Sequence, residues 1–228
     1  MSDFFEPPEP STAPPRPARH RLPPWLSAPS GTLPGVVALE LVLAQTAKVA
    51  VCVTRLGVYP SGFEIDLVTM AGAEDDDALD PKLFLRPWMR DQLAAGYAGL
   101  PAEMLRFGVE FADGTKATNT AARFSLGGRG TQPDLHNEPD GPVLHAGGGG
   151  GAGGNWRQSM WVWPLPPAGS LTFVCEWPAA DIPLTRHEID AQLILDAAAR
   201  ARVIFSDEHL PDPPTADDAR IAKGERGA

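Results

Sequence analysis

The chain has 228 residues, with 19 Lys and Arg against 29 Asp and Glu, a formal net charge of −10. That length suffices for one domain of ordinary size. The acidity argues against binding nucleic acid through its phosphates, which needs basic clusters, and against adhesion to anionic lipid.

The sequence opens acidic and Pro-rich rather than with a basic and then apolar leader. Its apolar runs are broken well before 18 positions, so no membrane span is expected and the location reads as cytoplasmic. Cys52 and Cys175 each lie in an apparent strand. In a reducing compartment they read as small buried hydrophobes rather than as a disulfide.

Residues 1–30 read as a disordered Pro-rich tail, with Glu6-Pro7-Pro8-Glu9-Pro10 and Pro14-Pro15-Arg16-Pro17. Such a segment buries too little apolar surface to offset its ordering entropy and favours polyproline II. Arg21-Leu22-Pro23-Pro24-Trp25 is its best candidate for docking into an aromatic groove; the alternative is a solvated tether. Trp25 and Leu26 are the residues suited to folding back onto the domain.

Residues 31–205 are expected to form a single domain. Val37, Leu39, Leu41 and Leu43 alternate with Val36, Ala38, Glu40 and Val42; Val49, Val51 and Val53 alternate with Ala50, Cys52 and Thr54. Tyr59-Pro60-Ser61-Gly62 is a turn, after which Phe63, Ile65 and Leu67 form a strand with Glu64 and Asp66 facing out. This spacing describes an antiparallel meander. The acidic run Glu74-Asp75-Asp76-Asp77, with Asp80, lacks the spacing of a calcium loop and reads as solvated; residues 88–98 suit a short helix. Leu105, Phe107, Val109 and Phe111 mark a half-buried strand. Asp113-Gly114 turns the chain, and residues 116–124 return alongside.

Residues 125–155 read as a long loop ending in the run Gly147-Gly148-Gly149-Gly150-Gly151-Ala152-Gly153-Gly154. The run is followed by a strand and by no Lys-Ser or Lys-Thr, so a mobile connection is favoured over a phosphate cradle. Next comes a Trp-rich stretch, read as a hairpin of residues 156–163 and 170–177 around Pro164-Leu165-Pro166-Pro167-Ala168-Gly169. Leu171, Phe173, Cys175 and Trp177 share one face. Met160 and Val162 share a face with Trp156 and Gln158, while Trp161 and Trp163 lie opposite with Arg157 and Ser159. A strand apolar on both faces is normally covered on both. Either the chain's own helix or a partner should therefore lie over Trp161 and Trp163.

Residues 185–205 are expected to be a C-terminal helix. Thr185 and Glu188 have capping-box spacing, Ile189, Leu193, Ala197 and Ile204 form a stripe, and Asp196 with Arg200 makes an i,i+4 pair. Residues 206–228 read as a disordered polar tail. The fold expected is mainly β: an antiparallel β-sandwich with a C-terminal α-helix packed on it.

Several stretches together carry a resemblance: Pro23-Pro24-Trp25-Leu26, residues 57–63, Leu105-Arg106-Phe107-Gly108-Val109-Glu110-Phe111-Ala112-Asp113-Gly114, the Gly run and Trp161-Val162-Trp163-Pro164-Leu165-Pro166-Pro167. With them the chain resembles a group of uncharacterised actinobacterial proteins across most of residues 23–205. The resemblance implies a common fold and offers no catalytic residues to carry over.

The functional expectation is a non-catalytic binding or assembly module, with a protein partner or a second copy near Arg157, Trp161 and Trp163. One alternative is a hydrolase-like enzyme with a loop-built site of Asp134, His136, His145 and Arg157. Another is a carrier of a small apolar ligand held between the sheets. No cofactor or metal is expected: His136 and His145 lack ligand spacing, and the His187-Glu188 start of a zincin motif meets Ala191 where a second His is required.

Overall fold

The computed structural model describes residues 21–72, 100–120 and 135–206. Eleven strands occur among them: β1 (Thr32–Leu33), β2 (Gly35–Gln45), β3 (Val49–Val58), β4 (Phe63–Ala71), β5 (Arg106–Phe111), β6 (Lys116–Thr118), β7 (Val143–Ala152), β8 (Asn155–Trp163), β9 (Ser170–Trp177), β10 (Ile182–Asp190) and β11 (Arg202–Val203). One α-helix, α1 (Gln192–Ala198), lies near the C-terminal end. The strands make a five-stranded sheet in the order β2-β3-β4-β8-β7, a four-stranded sheet in the order β10-β9-β5-β6, and the two-stranded β1-β11. Every pairing is antiparallel.

The alternating apolar residues seal the space between the two larger sheets. Val49, Val51, Val53, Phe63, Ile65, Leu67, Met160 and Val162 come from one sheet; Phe107, Val109, Leu171, Phe173, Cys175 and Trp177 come from the other. These side chains are buried, and the polar alternates Glu40, Glu64, Glu110 and Thr172 face away, as period-two patterning requires. Trp177, the largest fully buried side chain, donates its indole N–H to the Glu103 carbonyl at 2.9 Å. A buried Trp keeps its burial energy only where that donor is satisfied.

The sheets are joined at one side. Nε2 of His187 on β10 donates to the Leu43 carbonyl of β2 at 2.8 Å, and Lys48 pairs with Asp181 at 2.8 Å. Helix α1 closes the same side. A Cβ on Gly35 would sit 1.9 Å from the Ala197 carbonyl oxygen, so only Gly lets the helix backbone rest there.

Four expectations are corrected. Strands β8 and β9 belong to different sheets, so residues 164–169 are a crossover between sheets and not a hairpin turn. The hairpin partner of β8 is β7, and most of the Gly run is therefore strand; Gly153 and Gly154, both with positive φ, make its two-residue turn. The helix expected over 185–205 is confined to Gln192–Ala198, because residues 182–190 pair with β9. Thr185 donates to the Cys175 carbonyl rather than capping a helix. The tail assigned to residues 1–30 is structured in its last part: Trp25 and Leu26 are buried. Residues 1–20, the acidic run at 74–80, the helix expected at 88–98, Asp134 and residues 207–228 lie outside the described residues.

Candidate functional site

The hairpin of β7 and β8 gathers the candidate residues, and the register shows how. Trp161 lies opposite Glu64 on one side and His145 on the other; Trp163 lies opposite Val143; Arg157 lies opposite Val68 and Gly150. All three candidates, Arg157, Trp161 and Trp163, thus face away from the inter-sheet core. Arg157 is exposed and Trp163 half-buried, but Trp161 is only 4% exposed.

The cover found over the two Trp is not the helix. It is the chain's own segment 23–26. The Trp161 indole N–H donates to the Pro24 carbonyl at 3.0 Å. The Trp25 ring meets Trp163 edge-on, with centroids 6.2 Å apart at 71°, and Tyr59 meets Trp161 at 5.7 Å and 69°. Both geometries suit the aromatic quadrupole. A turn bond from Leu26 N–H to the Pro23 carbonyl, 3.0 Å, shapes the segment. Trp25, Leu26 and Val143, with Leu135 and Trp163 against them, form a cluster separate from the inter-sheet core.

Beside this cluster lies a polar network on the outer faces of β3 and β4. Arg55 Nε donates to Asp66 Oδ2 at 2.9 Å and Nη2 donates to Oδ1 at 3.4 Å. Such two-point pairing fixes the guanidinium. The Tyr59 hydroxyl donates to Glu64 Oε2 at 3.4 Å. Burial pushes the Glu64 carboxyl above its ordinary range, opposed by Arg55. Burial, with the Glu64 charge beside it, pushes the Tyr59 phenol up to about 12. His145, buried under residue 25, is pushed below its ordinary value by desolvation, partly offset by a hydrogen bond with the Trp25 backbone.

Strand β7, at the end of its sheet among the described strands, is the second feature. Residues 147–152 are exposed and carry no side chain larger than a methyl. A bulge between Ala146 and Gly149 leaves the carbonyls of Gly147 and Gly148 out of register; the buried Gln158 amide takes them up at 2.8 and 3.3 Å. Gln158 can lie there because Gly149 has no Cβ, which would stand 2.4 Å from Gln158 Oε1. The other sheet edges among the described residues are guarded. Strand β2 lies under α1 and Arg200, whose Nη2 donates to the Val36 carbonyl. Strand β10 carries Pro183, Arg186 and Glu188 and a register shift, and β6 is three residues long. Short, charged, Pro-bearing or covered edges discourage strand addition. Apart from its bulge, the Gly part of β7 has no such guard among the described residues.

Of the loop-built set, Asp134 lies outside the described residues, and His145 and Arg157 are held apart on the hairpin. His136 is exposed and His145 is buried. His145 lies opposite Trp161 and Gly150 opposite Arg157, four positions further along β8; that is about 13 Å at the rise of a strand. Among the described residues, no three of His, Cys, Asp and Glu come together as a metal-binding group, and no helix is long and apolar enough to cross a membrane. No protein-family model, curated protein or solved structure matches the chain. Sequence reasoning named Pro24 only as part of a docking peptide, and missed Tyr59, Gln158 and the β7 edge as parts of the site. The signal for the edge was the Gly-Gly pair before Asn155, a strong two-residue hairpin cue hidden within a longer run of Gly.

Proposed function

We propose that this chain is a non-catalytic binding or assembly module that takes an extended segment of a protein partner as an additional strand on β7. The observation that carries this reading is the exposed, uncharged and nearly side-chain-free edge at residues 147–152. Gly is a poor strand former, and inside a strand it commonly marks a place where another backbone approaches closely. Strand addition supplies affinity through main-chain hydrogen bonds, which a Gly edge leaves unobstructed. Arg157, one strand inward and exposed, offers a cation to an acidic side chain of the added strand. Cytoplasmic placement and partners other than nucleic acid and membrane complete the reading.

Panning displayed random decapeptides against the full chain tests it. Selected peptides should protect β7 amides from hydrogen exchange. They should lose at least ten-fold in affinity to a Gly148→Lys/Gly150→Lys variant, since a Cβ at either position meets nothing within 4 Å and the charges should guard the edge without disturbing its pairing. Failure to select any peptide, or equal binding to both proteins, would refute the reading.

A further inference from the structure

The segment best suited to dock into an aromatic groove and the aromatic surface needing a cover are both in this chain, and they occupy one another. We propose that the cleft formed by Tyr59, Trp161, Trp163 and Val143 is a receptor for Pro-Pro-aromatic peptides, closed in cis by residues 23–26. This site lies on the outer sheet face and does not include residues 147–152 of β7.

The contact has the chemistry of proline-peptide recognition. Pro has no N–H of its own, so a Pro-rich backbone offers carbonyl acceptors without competing donors, in a conformation that costs little entropy to hold. The receptor must therefore provide donors and flat apolar walls. Here the Trp161 indole donates to the Pro24 carbonyl at 3.0 Å, Tyr59 and Trp163 provide walls, and Trp25 packs edge-on against Trp163. Trp25 and Leu26 are 9% and 1% exposed, so the segment is seated and not merely adjacent.

The seating is also detachable. Residues 23–26 belong to no strand, and their cluster is distinct from the inter-sheet core. They can leave without opening the sandwich, as small satellite units do. A cis ligand on a short connection acts at a millimolar effective concentration. A partner peptide in trans must outcompete it, so the cis segment sets a threshold for binding.

The test uses the full chain with Trp25→Ala/Leu26→Ala, which empties the cleft, and a fluorescein-labelled hexapeptide Arg-Leu-Pro-Pro-Trp-Leu. Anisotropy should show binding to the variant at least ten-fold tighter than to the parent. Adding Trp161→Phe, which keeps a ring but removes the donor, should weaken that binding about ten-fold. Absence of binding to a variant whose circular dichroism matches the parent overturns the proposal. If the variant fails to fold, excess peptide is added to the 15N-labelled parent; a Trp161 indole N–H resonance that does not move overturns it equally. A parent dimer in light scattering that dissociates in the variant would make a second copy the occupant, and would also overturn it.

Discussion

Trp161 and Pro24, 137 positions apart, are joined by an indole-to-carbonyl hydrogen bond of 3.0 Å on the outer face of β8. The bond ties the N-terminal segment to the middle of the larger sheet. It also explains how a strand with large apolar residues on both faces stays in a folded chain: Met160 and Val162 are covered by the opposite sheet, and Trp161 by residues 23–26.

Trp161→Phe should therefore cost about 1–2 kcal/mol, the loss of one hydrogen bond plus some ring area. Trp161→Ala should cost about 3–5 kcal/mol, as for other buried Trp truncations. Urea unfolding measures both. Trp25→Ala should act more locally: hydrogen exchange should accelerate around residues 23–26 while β3 and β4 amides keep their protection. Equal acceleration in the central strands would mean that the segment is integral to the core.

Within the Gly run, neighbouring positions should respond very differently to Ala. At Gly149 a Cβ would stand 2.4 Å from Gln158 Oε1, and at Gly151 it would stand 1.9 Å from the Asn155 carbonyl oxygen. At Gly148 and Gly150 it would meet nothing within 4 Å. Gly149→Ala should displace the Gln158 amide and expose the bulge carbonyls, costing about 1–3 kcal/mol. Gly151→Ala meets backbone and should cost at least as much. Gly148→Ala and Gly150→Ala should fall within about 0.5 kcal/mol of the parent, typical of open surface positions. Thermal denaturation of the four variants checks the pattern; a uniform response would contradict the register of β7 on β8.

The strands legible in the sequence were those with one wet face. Leu105, Phe107, Val109 and Phe111 alternate with polar residues or Gly, and the structure buries all four. The same holds for β4 and β9, whereas in β2 Leu43 is buried and Val37, Leu39 and Leu41 are half-buried. Strand β7 was not legible because Gly has no side chain to alternate, and its assignment depends on pairing with β8 rather than on local preference. Residues 182–190 misled for another reason. Thr185, Glu188 and Ile189 fit helical spacing, but Thr185, His187 and Ile189 also alternate, and pairing with β9 decided between them. The crossover at 164–169 has the composition of a turn, and composition cannot say whether a turn returns to its own sheet. For the candidate site, the need for a cover over Trp161 and Trp163 was readable, but its source 137 positions away was not.

Both thiols should be inert in the folded chain. Cys175 lies in the inter-sheet core, where burial pushes its thiol up to about 12, and burial also raises Cys52. Since the thiolate is the reactive form, neither should take up iodoacetamide at pH 8, and both should do so in denaturant. Mass spectrometry after brief labelling reads this directly. Native labelling of Cys175 would place β9 outside the core.

His145 should make the Trp25 segment acid-sensitive. Burial holds its folded pKa below the ordinary 6.5, so in this pH range the unfolded or locally opened state binds the proton first. The stability associated with neutral His145 is fully present above 6.5 and is lost as pH falls from there through the depressed folded value. Burial of the ring opposes protonation, and the hydrogen bond with the Trp25 backbone offsets that cost only in part. Hydrogen exchange of that segment, corrected for intrinsic rates, should therefore accelerate between pH 7.5 and pH 5. A His145→Gln variant, which keeps a polar group but does not titrate, should flatten that dependence. An unchanged slope in the variant would assign the acid sensitivity to another group.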